Sequence, residues 1–272
     1  MTKWLHGQKR YLCLIKGGMM DKLTFKASII INIFGNLIYT LVVYFLWQGI
    51  YDSNTSLTVN GMSFQDTMVY LVLASAMFYC MNCYIVWDMG DDYKRGQIAR
   101  DIVKPIDYQA YLYFKKIGEI LIQFIVSFLP TFIFVYFITN GLIHLGTNLI
   151  WFILSLLFSI TINFIVDFII GNICFYTQSV WGINLMKEVI VLLLSGASIP
   201  LAFFPTTVTV VTSFLPFHAI YNTPLQILIK SELNWYHYIT MFGWQLFWLI
   251  VMLFVSRYFW KKSIKTLTIN GG

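Results

Sequence analysis

From Ala27 to Ile50 the chain runs for 24 residues without one acidic or basic side chain. About 20 mostly apolar residues are what a helix needs to cross the hydrocarbon of a bilayer. In lipid, only a helix or a closed barrel pairs every backbone amide and carbonyl internally. Further apolar runs cover Thr67–Trp87, Ile117–Thr139, Asn148–Ile170 and Ile239–Trp260, and another starts at Val189. The pattern predicts an all-α transmembrane protein with six spans, at about 27–50, 67–87, 117–139, 148–170, 189–201 and 239–260. Only 11% of the residues are charged, against about a quarter in a soluble domain. The shortage of polar cover fits the same answer.

Topology follows from the basic residues. Every Lys and Arg except Lys230 falls in 1–26, 88–116, 171–188 or 257–272. A bias this one-sided places those four segments, and so both chain ends, in the cytoplasm. The net charge of +6 is spread over all the inner segments and forms no nucleic-acid patch. The outer loops Tyr51–Asp66 and Asn140–Thr147 lack Lys and Arg and are too short to be folded domains. The first apolar run is too long, and lacks the small-residue cleavage pattern, to be a removable signal peptide. Ahead of it, residues 3–22 read as an interfacial amphipathic helix. Trp4, Leu5, Leu12, Ile15 and Met19 form one face, Lys9, Arg10 and Lys16 the other, and Gly17 and Gly18 weaken its end. A loose basic tail is the alternative.

Three features depart from plain spans. Val189–Ile229 is 41 residues without a charge, too long for one crossing, and holds four of the six prolines: Pro200, Pro205, Pro216 and Pro224. Proline breaks helices, and irregular backbone at membrane depth needs shielding by protein or a wet cavity. One crossing to about Leu201, then short helices over 202–229 that dip back into the outer leaflet, is the expectation; an inert surface loop is the alternative. The inner loop 88–116 mixes acids and bases around the small apolar face Ile98, Ala99, Ile102 and Val103, which Pro105 ends. Such a helix suits docking to a soluble partner or is a solvated loop. Third, Glu119, Asp167 and Glu188 lie near or within spans, where ionisable groups are costly. They either serve function or pair with Lys115, Lys116 or Lys187. Asn32, Asn36, Asn82, Gln123 and Asn163 are expected to bond between helices. Cys80 and Cys83 have no second pair to complete a metal site and read as small apolar residues on one helix face. No phosphate-binding loop, HExxH or GxSxG motif appears, so catalysis within the chain is not expected.

Two stretches carry a family resemblance. One is Gly96-Gln97-Ile98-Ala99-Arg100-Asp101-Ile102-Val103-Lys104-Pro105-Ile106-Asp107-Tyr108-Gln109. The other runs from Leu194 to Pro205, with Leu215-Pro216-Phe217 and Tyr221-Asn222-Thr223-Pro224-Leu225-Gln226-Ile227 after it. With the span layout, they make the chain similar to permease subunits of type-two ATP-binding-cassette exporters, in a bacterial six-span branch. Where that branch usually closes the second motif with Gly, this chain has Lys230 or Ser231. The resemblance implies a cytoplasmic coupling helix, with Asp92, Arg95, Ile98, Ala99, Arg100, Ile102 and Pro105 meeting a separate ATPase subunit. It implies an outer re-entrant gate containing Pro200, Phe203, Phe204, Pro205, Pro216, Phe217 and Pro224. Asn36, Glu119, Gln123, Asn163, Asp167 and Glu188 are candidates for intramembrane polar positions. ATP and magnesium would bind the ATPase and no cofactor this chain; a second permease, identical or related, and membrane lipid would be the other partners. The location implied is a bacterial plasma membrane. The aromatic, charge-poor interior suits an amphipathic or apolar cargo such as a drug, lipid or hydrophobic peptide. An ion-driven carrier and a non-transporting scaffold or immunity protein are the alternatives.

Overall fold

The computed structural model describes residues 2–53, 58–82, 84–139, 147–177, 179–230 and 234–266, with side chains from residue 9 onward. Cys83, the side chains of Lys3, Trp4 and Leu5, most of the loop 140–147, Ser231 and the tail beyond residue 266 lie outside that description. The chain is helical almost throughout. Helix α1 (Thr2–Thr24) turns at Phe25 into α2 (Lys26–Asp52). A two-residue hairpin, β1 (Thr58–Val59) with β2 (Met62–Ser63), follows in the register Thr58 to Ser63. Its turn is Asn60-Gly61, both at positive φ, the pairing that tight hairpins favour. Helix α3 (Phe64–Met81) then starts on a capping box: the Ser63 hydroxyl accepts from the Asp66 amide, and the Asp66 carboxylate accepts from the Ser63 amide.

In the second apolar run α3 ends at Met81, Asn82 is extended, and α4 (Ile85–Lys94) follows Tyr84, which has φ of 50°. After α5 (Gln97–Ile102), α6 (Tyr108–Gln123) passes through a wide π turn at Phe124–Phe128 into α7 (Leu129–Ile138). Pro130 has no amide to give the preceding turn, and the extra residue of a π turn relieves its clash. Helix α8 (Thr147–Gly171) ends in a 3-10 turn at Asn172–Phe175. Then come α9 (Trp181–Leu194), α10 (Thr206–Ser213), α11 (Asn222–Ile229) and α12 (Trp235–Ser263).

Five helical stretches among the described residues are long and apolar enough to cross a membrane: Lys26–Asp52, Phe64–Lys94, Tyr108–Ile138, Thr147–Phe175 and Trp235–Thr266. The expected fifth crossing at 189–201 is corrected. Its helix starts earlier, at Trp181, and stops at Leu194, because Gly196 takes φ of 80° and Pro200 follows. Its 14 residues reach about 21 Å, short of the roughly 30 Å of hydrocarbon. The expected loop 88–116 is likewise narrower, since α4 runs to Lys94 and α6 starts at Tyr108.

Helix α8 is central, packed by α4, α11 and α12. The proline-rich segment after α9 lies between α8 and α12 rather than over them. The Ala219 carbonyl accepts from the Ser159 hydroxyl (3.0 Å) and the Gln245 side-chain amide (2.9 Å). Ser159 stands twelve residues, about 18 Å, along α8 from Thr147. Gln245 stands ten residues, about 15 Å, along α12 from Trp235. A backbone carbonyl thus returns to roughly the middle of two long helices and is paired there, as irregular backbone must be.

Helix α1 packs along α6 at backbone contact. A Cβ on Gly18 would lie 1.9 Å from the Lys115 carbonyl oxygen, and one on Gly118 2.0 Å from that of Ile15. Tyr11 stacks on Phe114 with centroids 4.4 Å apart, and Asp21 pairs with Lys115 at 3.0 Å. The amphipathic division therefore differs from the expected one. Ile15 and Gly18 turn toward α6, while Leu12 is exposed beside Met20 and Leu23. Gly18 is a contact residue rather than a weak point.

Candidate coupling surface and intramembrane cavity

One candidate surface is the turn of chain around α5. Gly96, at φ of 67°, reverses the path from α4, and Val103 ends the short helix. Ile98 is wholly buried in the chain and Ile102 half-buried, whereas Val103 is 83% exposed. Arg95, Arg100 and Pro105 are exposed, and Asp92 and Ala99 half-buried. The expected docking face is corrected accordingly: Ile98 anchors α5 inward, and Ala99, Arg100 and Val103 form the outward edge. Asp101 receives the Lys104 ammonium at 2.6 Å, which with the Tyr111 ring 4.4 Å away holds the lysine's pKa above its ordinary value.

The edge is tied to the bundle. Asp107 caps α6 by accepting from the Ala110 amide at 2.9 Å and pairs with Arg257 of α12. Beside it, the Gln109 amide donates to Ser256 at 3.0 Å, and Tyr108 stacks on Trp260 at 4.8 Å. Deeper in, Lys116 bridges Asp88 (2.6 Å) and Glu119 (3.0 Å), joining α4 to α6. Glu119 is thus in an ion pair, as its bland alternative anticipates.

A second candidate lies between α3, α8, α9 and the start of α11. Asp167, nearly fully buried on α8, receives the Lys187 ammonium of α9 at 2.8 Å. Glu188, half-buried, accepts from Asn184 at 2.8 Å and has no cation within 4 Å among the described residues. Asn163 donates to the Met81 carbonyl at 3.4 Å, the last turn before the break in the second span. These groups enclose a cavity of about 20 Å³, which Phe78, Asn82 and Tyr221 complete. Asp167, Glu188 and Asn163, picked separately from sequence, meet here; Asn36, Glu119 and Gln123 do not line it. Asn36 is buried on α2 with its Oδ1 unpaired, and Gln123 is buried just before the π turn.

Along the proline-rich segment, Pro200, Pro216 and Pro224 are buried, Phe203, Phe204 and Phe217 half-buried, and Pro205 exposed. Phe203 packs on Trp47 of α2 at 4.5 Å, and Tyr70 donates to Asn222 at 3.2 Å. Gln245, which joins α12 to Ala219 and to Ser155 and Ser159, was not among the residues marked out by sequence. Its signal was available: an amide near the middle of an apolar run. Lys187 and Val103 were placed in sequence only as a pairing option and part of an apolar face.

The described fold and motif positions agree with a match that covers most of the sequence, since a family profile described as ABC-2 family transporter protein spans residues 37–271. The chain belongs to the ABC-2 transporter family. It is a multi-pass membrane transport permease, of a kind that in general is not itself catalytic and works with an ABC ATPase. A search of curated proteins gave no match.

Proposed function

We propose that this permease is the membrane subunit of an ATP-driven exporter in a bacterial plasma membrane, with both chain ends in the cytoplasm. A separate ATPase binds ATP and magnesium and seats on the Ala99–Arg100–Val103 edge of α5. Two permeases, identical or related, flank one path. Helix α9 and the segment after it supply the sixth crossing together, and 202–229 is the outer re-entrant gate. The cargo is amphipathic or apolar, such as a drug, lipid or hydrophobic peptide.

The observation that carries this is the mounting of α5. An exposed, mixed-charge edge sits on a buried Ile98 and is fastened within a few residues to α6 and α12 through Asp107. A solvated loop needs no such fastening, whereas a lever does. Closing of the ATPase dimer would push these edges and rotate the permeases as rigid bodies. The test is purification of the chain with the ATPase of the adjacent gene. Expected is a stable complex that Val103→Asp dissolves; two proteins that never associate would overturn the proposal.

A further inference from the structure

The cavity beside Asp167 has a charge balance and a shape that the exporter reading leaves unused. Its one internal cation, Lys187, is committed to Asp167, and Glu188 adds a second carboxylate without a paired cation among the described residues. The surplus of one negative charge stands in an apolar helical bundle, where ionised groups are costly unless something compensates them. The remaining lining is Val191, the side chains of Asn82 and Asn163, whose oxygens can accept hydrogen bonds, and the rings of Phe78 and Tyr221, 6.5 Å apart. Aromatic faces and carboxylates favour a cation. At this level α3 gives way to α4, with Asn82 extended and Tyr84 left-handed, and broken helices mark ligand sites in membrane transporters.

Size narrows the ligand. About 20 Å³ admits one group the size of a water molecule and excludes a bulky cation. Glu188 is half-buried, lining the cavity while it remains reachable from outside the chain. Next to it on α9, Leu185, Val189 and Leu193 form an exposed apolar stripe at helical spacing. A small cationic head above a long apolar surface describes one molecule type.

We propose that Glu188 and this cavity bind the ammonium head of an amphipathic amine, whose hydrocarbon tail lies along Leu185, Val189 and Leu193 of α9. This deepens the exporter reading by naming the cargo class, but binding to the permease alone is a separate quantity. The experiment measures binding of dodecylamine, dodecanol and dodecanoate, equal tails with cationic, neutral and anionic heads, to the purified full chain by native mass spectrometry. Dodecylamine, protonated at neutral pH, is expected to bind about tenfold or more tighter than the other two, the scale of a charge-assisted hydrogen bond. Glu188→Gln should erase that preference with an unchanged melting temperature, and Glu188→Asp should keep most of it. Equal binding of the three, or an intact preference in Glu188→Gln, overturns the proposal. If the amine binds but no ATPase ever associates, the exporter reading fails and the head-group site stands. If the complex exports cargo but shows no amine preference, the reverse holds.

Discussion

Gly17 and Gly18 are neighbours on α1, and the structure gives them opposite surroundings. A Cβ added at Gly17 meets nothing within 4 Å. One added at Gly18 would sit 1.9 Å from the Lys115 carbonyl oxygen and 3.0 Å from its carbon. That obstacle is α6 backbone and cannot rotate aside, so α1 must back away by about 1 Å before the contact reaches an acceptable 3.0 Å. Replacing glycine by alanine inside a helix gains about 1 kcal/mol of helix propensity at either position. The difference between the two variants therefore isolates the crossing, and overpacking of this kind costs about 1–3 kcal/mol. Melting of the purified full chain, followed by tryptophan fluorescence, should place Gly18→Ala roughly 2–12 °C below Gly17→Ala. Gly118→Ala, with its Cβ 2.0 Å from the Ile15 oxygen, should behave like Gly18→Ala. Equal melting temperatures for Gly17→Ala and Gly18→Ala would refute the close crossing, and with it the fastening of α1 to α6.

The same logic separates the two sides of α5. Val103→Asp should abolish ATPase association in pull-down while leaving the melting temperature unchanged, whereas Ile98→Asp should lower melting itself, because it buries a carboxylate where no water reaches. Asp167→Ala, leaving the half-buried Lys187 without its partner, should cost about 3 kcal/mol in unfolding experiments, and replacing both residues by leucine should restore most of it. Gln245→Leu withdraws the amide from Ala219 and Ser159 and should destabilise by about 1–3 kcal/mol; protease nicking between Phe204 and Pro216 should then accelerate.

Much of this was readable from residues because the bilayer imposes crude, strong rules. Long charge-free runs and the confinement of basic residues to alternate loops need no tertiary information. What resisted was anything set by backbone proximity. Gly18 looks like a helix weakener until Gly118 is known to lie opposite, 100 residues on in sequence. The apolar face of α5 is readable as a face, but nothing local says that Ile98 turns inward and Val103 outward. The start of α9 at Trp181 was hidden because Lys187 and Glu188 look like loop residues. In the helix, Asp167 and Asn184 meet them. The acids and amides of the cavity, Asp167, Glu188, Asn163 and Asn82, are each conspicuous alone, yet their meeting depends on how α3, α8 and α9 pack, which no spacing encodes.

A displacement of α5 has two stiff routes into the bundle. Through Asp107–Arg257, Gln109–Ser256 and Tyr108–Trp260 it meets α12, whose Gln245 holds the Ala219 carbonyl of the proline-rich segment. Through the glycine crossing it meets α1, which continues past Phe25 into α2, and Trp47 near the far end of α2 packs on Phe203 of that same segment. Both routes leave from the α5 end of the bundle and end on the proline-rich chain. That chain is held by side-chain hydrogen bonds to α3, α8 and α12 rather than by one continuous helix. Bonds of this kind exchange partners at lower cost than a helix unwinds, since each contributes about 1 kcal/mol net. If force from an ATPase arrives at α5 as proposed, the proline-rich segment is where two rigid elements converge on chain held by exchangeable hydrogen bonds. The cavity at Asp167 shares Tyr221 with that segment, so an amine held at Glu188 as proposed above would lie against it.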